Sequence, residues 1–197
     1  MKNNRDVASY SRGSKWFHWL IAVIVILMLS GSFFLGDVAE PYQPLAYMLH
    51  KSFGLTVLFL MIGRLFWLKY SGKPKLPSTV PLWQKYLAHT IQYSLYVFLI
   101  AMTCCGWIMS VAADRVPSYF GLFNLPLPLS PNKNLAELLN EAHETIAWIL
   151  IALITLHIAG AIKHHFIDKD DVLKRMLPGC CNSSISASSK TIKPPKS

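Results

Sequence analysis

The sequence predicts an all-α membrane protein, a four-transmembrane-helix up-down bundle. Two observations lead to this fold class. Of the 197 residues, 53% are hydrophobic and only 15% are charged, and the mean hydropathy of +0.36 is far above that of a typical soluble domain. In addition, four separate apolar stretches each reach the roughly 20 residues that a helix needs to cross a bilayer.

The four predicted helices cover about residues 16–35, 46–68, 86–112 and 138–162. The first follows a basic N-terminus, as the apolar part of a secretory signal would. It is longer than such a segment, no Ala-x-Ala site follows it, and it carries His18 near its start. We therefore expect it to be a transmembrane helix. Because the links are short, consecutive helices are expected to run antiparallel and to pack against one another.

Lysine and arginine are distributed unevenly between the two ends of this bundle. Sixteen of the 19 lie before the first helix, at or next to the link 69–85, or after His157. The other three are Lys51, Arg115 and Lys133. Because basic residues accumulate in cytoplasmic segments, we predict a multi-pass protein of the bacterial inner membrane with both termini in the cytoplasm. No basic helix or base-stacking motif indicates nucleic-acid binding, despite the net charge of +9.

The chain is expected to contain one domain, residues 1–177, followed by a disordered cytoplasmic tail at 178–197 that is rich in Ser, Lys and Pro. The periplasmic link 113–137 is longer than the topology requires and contains several prolines and aromatic residues, so we expect it to fold as a cap on the outer surface. The cysteines predict no disulfide framework, since they lie in the third helix and in the tail (Cys104, Cys105, Cys180 and Cys181).

Histidines within the predicted helices are the main functional signal, because ionisable residues are costly in a membrane. His143 and His157 are fourteen residues apart, a step that turns a helix about 1400°, within roughly 40° of four full turns, and rises about 21 Å. They therefore share one face at two depths. By depth, His18 matches His157 near the cytoplasm and His50 matches His143 near the outside. His89 is an alternative partner for His157.

Two imidazoles that face each other across a bundle are the axial ligands that a b-type haem iron takes, so the two pairs predict two haems b. A zinc site is disfavoured because it requires four converging ligands. A di-iron site would require Glu-x-x-His pairs, and covalent c-type haem a Cys-x-x-Cys-His motif; neither is present. A proton or metal transporter that uses the histidines directly is a further alternative.

Two more polar residues extend the same helix faces. Arg64 lies fourteen residues after His50, on the same side at cytoplasmic depth, where it would pair with a haem propionate or extend to the interface as a snorkelling side chain. His164 lies seven residues after His157, about 10 Å nearer the cytoplasm. It would serve either as a quinone and proton site or as a solvated interfacial residue.

A family resemblance is carried by five segments in order, "YSRGSKWFHWL", "LAYMLHKSFGLTVLFLMIGRL", "YLAHTIQY", "EAHETIAWILIALITLHIAGAIKHHF" and "RMLPG". Over about residues 10–179 the chain resembles the bacterial di-haem cytochrome b561 family, most closely its small stand-alone superoxide oxidase branch. The resemblance implies a bundle holding two haems b, with His18 and His157 on the cytoplasmic-side iron and His50 and His143 on the periplasmic-side iron. It also implies a superoxide:ubiquinone oxidoreductase that forms dioxygen at the periplasmic face and reduces ubiquinone near the cytoplasmic haem.

Haems with two histidine ligands have no open position at the iron, so the expected chemistry is electron transfer at the haem edge. Lys51, next to His50, is a candidate for attracting the superoxide anion, and His164 for the quinone site. The alternative function is that of a cytochrome b electron-relay subunit in a membrane-bound complex of the hydrogenase or formate dehydrogenase type, with a dehydrogenase as partner. Membrane lipid and quinone are expected partners in either case.

Overall fold

The computed structural model describes residues 9–72 and 80–179. It contains four long α-helices: α1 Arg12–Ser32, α2 Gln43–Ser71, α3 Leu82–Ala112 and α4 Lys133–Phe166. Each is long and apolar enough to cross a membrane. The predicted four-helix transmembrane fold is thus confirmed. The link predicted at 69–85 is shorter than expected, because α2 continues to Ser71 and α3 begins at Leu82, whereas the first link keeps its length and is shifted to 33–42.

The helices begin and end where local chemistry allows. Ser11 caps α1, its hydroxyl accepting a hydrogen bond from the backbone N–H of Ser14 at 3.3 Å. Asn132 caps α4 in the same way, accepting from the N–H of Leu135 at 3.0 Å. Most helix ends lie beyond their predicted bounds, but α1 ends earlier than predicted, at Ser32, and the chain continues in short 3₁₀ turns at Leu35–Asp37 and Glu40–Tyr42.

Consecutive helices pack side by side, α1 on α2, α2 on α3 and α3 on α4. The best-buried cluster lies between α1 and α2, where Ile21 and Val25 meet Val57 and Met61. The two helices approach closely at the end of the bundle where α1 begins, since a Cβ added at Gly13 would overlap the Trp67 ring. This contact requires glycine.

The link between α3 and α4 contains a small antiparallel hairpin, β1 Ser118–Tyr119 and β2 Phe123–Asn124. Ser118 pairs with Asn124 and Tyr119 with Phe123. The hairpin packs against α2. The link that was expected to form a cap therefore contains a hairpin attached to the side of α2.

The chain after α4 returns to the start of α1. The backbone N–H of Tyr10 donates to the carbonyl of Arg175 at 3.4 Å, and the indole N–H of Trp19 donates to the carbonyl of Met176 at 2.9 Å. These contacts tie residues 167–179 to the bundle. The predicted disorder of the tail concerns residues that, from 180 onward, lie outside the described part of the chain.

Candidate haem sites

The four histidines expected at the two sites form two pairs across the bundle. His18 on α1 and His157 on α4 have ring centroids 6.2 Å apart, with ring planes at 69°. His50 on α2 and His143 on α4 have centroids 6.4 Å apart, with planes at 68°. His157 is exposed and the other three rings are partly buried.

These spacings fit an imidazole on each side of one iron. A metal–imidazole bond is about 2.0–2.1 Å long, and a ring nitrogen lies roughly 1.1 Å from the centre of a five-membered ring whose bonds are about 1.33 Å. Two opposed imidazoles on one metal therefore have centroids roughly 6.3 Å apart. Both observed pairs agree with this value. The residues present fit the two haem sites that the sequence predicts.

His89 does not join either pair. Its ring lies on the exposed surface of α3 and stacks on Tyr93, with centroids 6.2 Å apart and planes at 26°. The structure brings His18 and not His89 to His157.

Gly106 on α3 is a site residue that the sequence reasoning missed. A Cβ built there would lie 3.0 Å from Cε1 and 3.4 Å from Nδ1 of His143, so the histidine packs directly on the glycine. Within the described part of the chain, the buried Nδ1 makes no hydrogen bond of good geometry, and the backbone of Met102 is the polar group that interacts with this ring. A lone glycine in an apolar helix was the only sequence signal.

Gly54, which lies one turn after His50 on α2, does not pack on a histidine in the same way. A Cβ built there would lie 3.7 Å from Met28 of α1.

Arg64 lies beside the pair formed by His18 and His157. Its side chain is buried, with 6% of its surface exposed, and it interacts electrostatically with both His18 and His157. Its Nε donates to the hydroxyl of Tyr96 at 3.0 Å. A buried guanidinium at this depth fits the propionate side of a haem better than a snorkelling role, because it is not extended into solvent.

Tyr10, which precedes α1, joins the same polar cluster. Burial raises the pKa of its hydroxyl, and Tyr96 acts in the same direction, while Arg64, a hydrogen bond with Gln92, and Arg175 oppose the shift. The phenol therefore remains neutral at physiological pH. Neither tyrosine was predicted, because both lie far in sequence from the histidines.

Lys51 follows His50 directly and lies at the end of the bundle that the α3–α4 link covers. Its ammonium donates to the backbone carbonyl of Arg115 at 3.2 Å, a carbonyl that also accepts from the Ser110 hydroxyl. Lys51 lines an open cavity of 1480 Å³ between α2, α3 and α4. The charged residues around this cavity are of both signs: Lys51, Arg115 and Lys133 with Glu40, Asp114, Glu137 and Glu141.

His164 is held near the C-terminal end of α4 by two carboxylates. Its Nδ1 lies 2.7 Å from Oδ2 of Asp170 and 3.3 Å from Oδ2 of Asp168. The other Asp170 oxygen accepts from the N–H of Val172 at 3.0 Å, and the Lys163 ammonium lies 2.6 Å from Asp168. His164 and both carboxylates bring metal-ligating atoms within 4.8 Å of one another, but the Lys163 ammonium already supplies the positive charge at Asp168.

Comparison with known proteins decides the family. The sequence model described as prokaryotic cytochrome b561 matches residues 9–179, nearly the whole described chain. The chain belongs to the prokaryotic cytochrome b561 family. It is thus a multi-pass bacterial membrane protein of electron transport, an oxidoreductase-type cytochrome whose cofactor is b-type haem.

Three relatives are similar over most of their length. The chain is 35% identical to cytochrome b561 homolog 2 of Escherichia coli (strain K12) over 164 residues, 82% of this chain and 87% of the relative. It is 33% identical to the probable superoxide oxidase CybB of Yersinia pestis over 162 residues, 82% and 91% of the two chains. It is 28% identical to cytochrome b561 homolog 1 of Escherichia coli (strain K12) over 173 residues, 86% and 97% of the two chains.

Proposed function

We propose that this cytochrome b561 is a superoxide:ubiquinone oxidoreductase with two haems b. His50 and His143 would hold the periplasmic-side haem, and His18 and His157 the cytoplasmic-side haem. The observation that carries the proposal is the presence of two histidine pairs at ring spacings of 6.2 and 6.4 Å in one bundle. Similarity to a probable superoxide oxidase of Yersinia pestis supports the choice of donor. With a histidine on each side, a haem b supplies one-electron transfer at its edge.

The orientation and extent of the domain are part of the proposal. Both termini and the link 69–85 would be cytoplasmic, as the positive-inside rule predicts, and residues 1–177 would form the functional domain. The contacts of residues 167–179 with the start of α1 support a single unit that includes the chain just after α4.

At the periplasmic face, superoxide gives up one electron and becomes dioxygen, a step that breaks no bond and moves no proton. The protein must only bring the anion close. Lys51 is our candidate because it follows His50 directly in the sequence and its side chain borders the open cavity. Because carboxylates also line that cavity, the attraction would be local to Lys51 and not a property of the whole surface.

At the cytoplasmic face, ubiquinone takes two electrons, one from each of two superoxide ions, and two protons to form ubiquinol. His164 is our candidate for proton supply. Donation of the Nδ1 proton to Asp170 would fix the ring and leave Nε2 to exchange a proton with the quinone. The carboxylate would also stabilise the charged imidazolium that forms between two transfers.

The proposal is tested by adding superoxide to the purified, oxidised protein and recording its visible spectrum. We expect rapid haem reduction that superoxide dismutase abolishes, and reoxidation when ubiquinone is supplied. Lys51→Gln should slow the reduction by superoxide but not that by dithionite, whereas Lys133→Gln, whose lysine is exposed and pairs with Glu137 at 3.6 Å, serves as the matched control. A protein that dithionite reduces and superoxide does not would exclude the oxidase function. Co-purification with a large dehydrogenase would then favour the electron-relay alternative.

A further inference from the structure

We propose that Tyr96 is a positioning residue, whose hydroxyl holds the Arg64 guanidinium so that its two Nη groups face a carboxylate of the haem bound at His18 and His157. This rests on the proposed assignment of that haem and adds the residue that directs Arg64 towards it. Tyr96 lies on α3 and Arg64 on α2, while the two histidines lie on α1 and α4. All four helices therefore contribute to this end of the bundle.

Arg64 carries a buried positive charge that no protein carboxylate balances within the described residues. Its surface is only 6% exposed, and none of the ion pairs formed by the described residues includes it. The titratable groups that it acts on are His18, His157 and the neutral phenol of Tyr10. Because an unpaired charge is costly to bury, we expect an anion to complete the site, and a haem b carries two propionate carboxylates.

The guanidinium of Arg64 is anchored at one of its nitrogens. Nε donates to the Tyr96 hydroxyl at 3.0 Å, and the guanidinium carbon lies 5.7 Å from the centroid of the Tyr96 ring. Among the described residues, Tyr96 is the one that accepts a hydrogen bond from this side chain. Since the N–H groups of a guanidinium form a rigid planar fork, an anchored Nε fixes the direction of the Nη groups and leaves them for bidentate pairing with a carboxylate.

A phenol suits this anchoring role because it accepts a hydrogen bond without bringing a negative charge. An aspartate or glutamate at the same place would form an ion pair with Arg64 and neutralise the charge that the haem would otherwise use. The Tyr96 ring is partly buried and packs against the apolar cluster between α1 and α2. This packing fixes the location of the hydroxyl, so the anchor is rigid.

Tyr10 covers the Tyr96–Arg64 pair from the side of the chain ends. Its phenol forms a hydrogen bond with Gln92, which lies one turn before Tyr96 on α3, and it interacts with Arg64 as well. The backbone N–H of Tyr10 donates to the carbonyl of Arg175 at 3.4 Å, so residues before α1 and after α4 are joined here. Covering the pair lowers the local dielectric and strengthens the attraction between the guanidinium and an anion.

A structural role for the Tyr96 hydroxyl, in which it only satisfies a buried donor, makes a different prediction. Its removal would then lower the stability of the bundle and leave the electronic properties of the haem as they were. A hydroxyl that directs a positive charge towards the haem also affects the midpoint potential, because that charge stabilises the reduced state. The midpoint potential therefore separates the two roles.

The test is a double-mutant cycle on the purified, haem-loaded protein, read out by a redox titration that uses neither superoxide nor ubiquinone. Tyr96→Phe removes the hydroxyl and keeps the ring, Arg64→Leu removes the charge, and the third variant combines both changes. Tyr93→Phe is the matched control, since it removes a hydroxyl from an exposed tyrosine three residues earlier on α3. An unshifted potential for the haem at His50 and His143 shows that each variant is folded.

We expect Tyr96→Phe to lower the potential of the haem at His18 and His157 by part of the shift that Arg64→Leu causes. In the Arg64→Leu background it should have no further effect, because the hydroxyl acts through the guanidinium. An unchanged potential in Tyr96→Phe, or an equal shift with and without Arg64, would overturn the proposal. An unchanged potential in Arg64→Leu would overturn it too. Because superoxide is absent from the titration, these outcomes are distinguishable from a failure of the oxidase function.

Discussion

Enlarging Gly106 should remove the haem proposed at His50 and His143 while leaving the other in place. An alanine Cβ at this position would lie 3.0 Å from Cε1 of His143, so the ring must shift by a few tenths of an ångström. That is about the ±0.2 Å tolerance of a metal–ligand bond. Gly106→Val adds carbons roughly 1.5 Å further out, so the imidazole would leave any position that can bond the iron. We expect weakened binding for alanine and loss of one haem for valine.

The control is Gly160→Ala on α4, where a built Cβ meets no atom of the described residues within 4 Å. Replacing a helical glycine by alanine stabilises a helix by roughly 0.8–1 kcal/mol, so this variant should keep its haem and be at least as stable as the parent. Haem is measured as the pyridine haemochrome per chain, together with a redox titration that separates the two centres. If Gly106→Val keeps the full haem content and both redox transitions, the assignment of His143 as a ligand is wrong.

Three further predictions test the remaining site residues. His157→Ala should lose the cytoplasmic-side haem, and His89→Ala should keep both; equal haem loss in the two variants would contradict the pairing of His157 with His18. Asp170→Asn should slow ubiquinone reduction by roughly 10–100-fold, the size of loss seen when a hydrogen-bonded partner of a metal-ligating histidine is removed, and leave haem content and reduction by superoxide unchanged. Asp171→Asn, whose carboxylate pairs with an exposed lysine, is its control, and an equal effect of both would refute a specific role for Asp170. Arg64→Leu should lower the midpoint potential of the cytoplasmic-side haem, since a positive charge about 10 Å away contributes on the order of 1–2 kcal/mol at an effective dielectric constant of about 20, whereas Arg64→Lys should retain most of the parent value.

Under the proposed function, the two ends of the protein would handle different chemistry. The end that contains Lys51 would need only to attract a small anion, and Lys51 borders an open cavity there. The end that contains His164 would also have to supply protons, and Asp170 holds His164 in place there. The variants above separate these two proposed steps, because reduction by superoxide is measured without ubiquinone and reoxidation by ubiquinone is measured without superoxide.

Sequence alone was enough to predict the four membrane helices and the four histidines. Long apolar stretches determine helices in lipid because no other hydrogen-bonded backbone can cross it as a single segment. The fourteen-residue repeat on α4 gave two depths on one face, since helical geometry is regular over that distance. Matching depths then suggested His18 and His50 as partners.

Only the tertiary structure decided which residues surround those histidines. Gly106, Tyr96 and Tyr10 join the sites through the rotation and register of neighbouring helices, which depend on side-chain packing and leave no local pattern in the sequence. Asp170 meets His164 because the chain turns back after α4. The hairpin, likewise, is attached to α2 by single hydroxyl contacts from Ser52 and Thr56, and contacts between residues more than sixty positions apart cannot be predicted from helical periodicity.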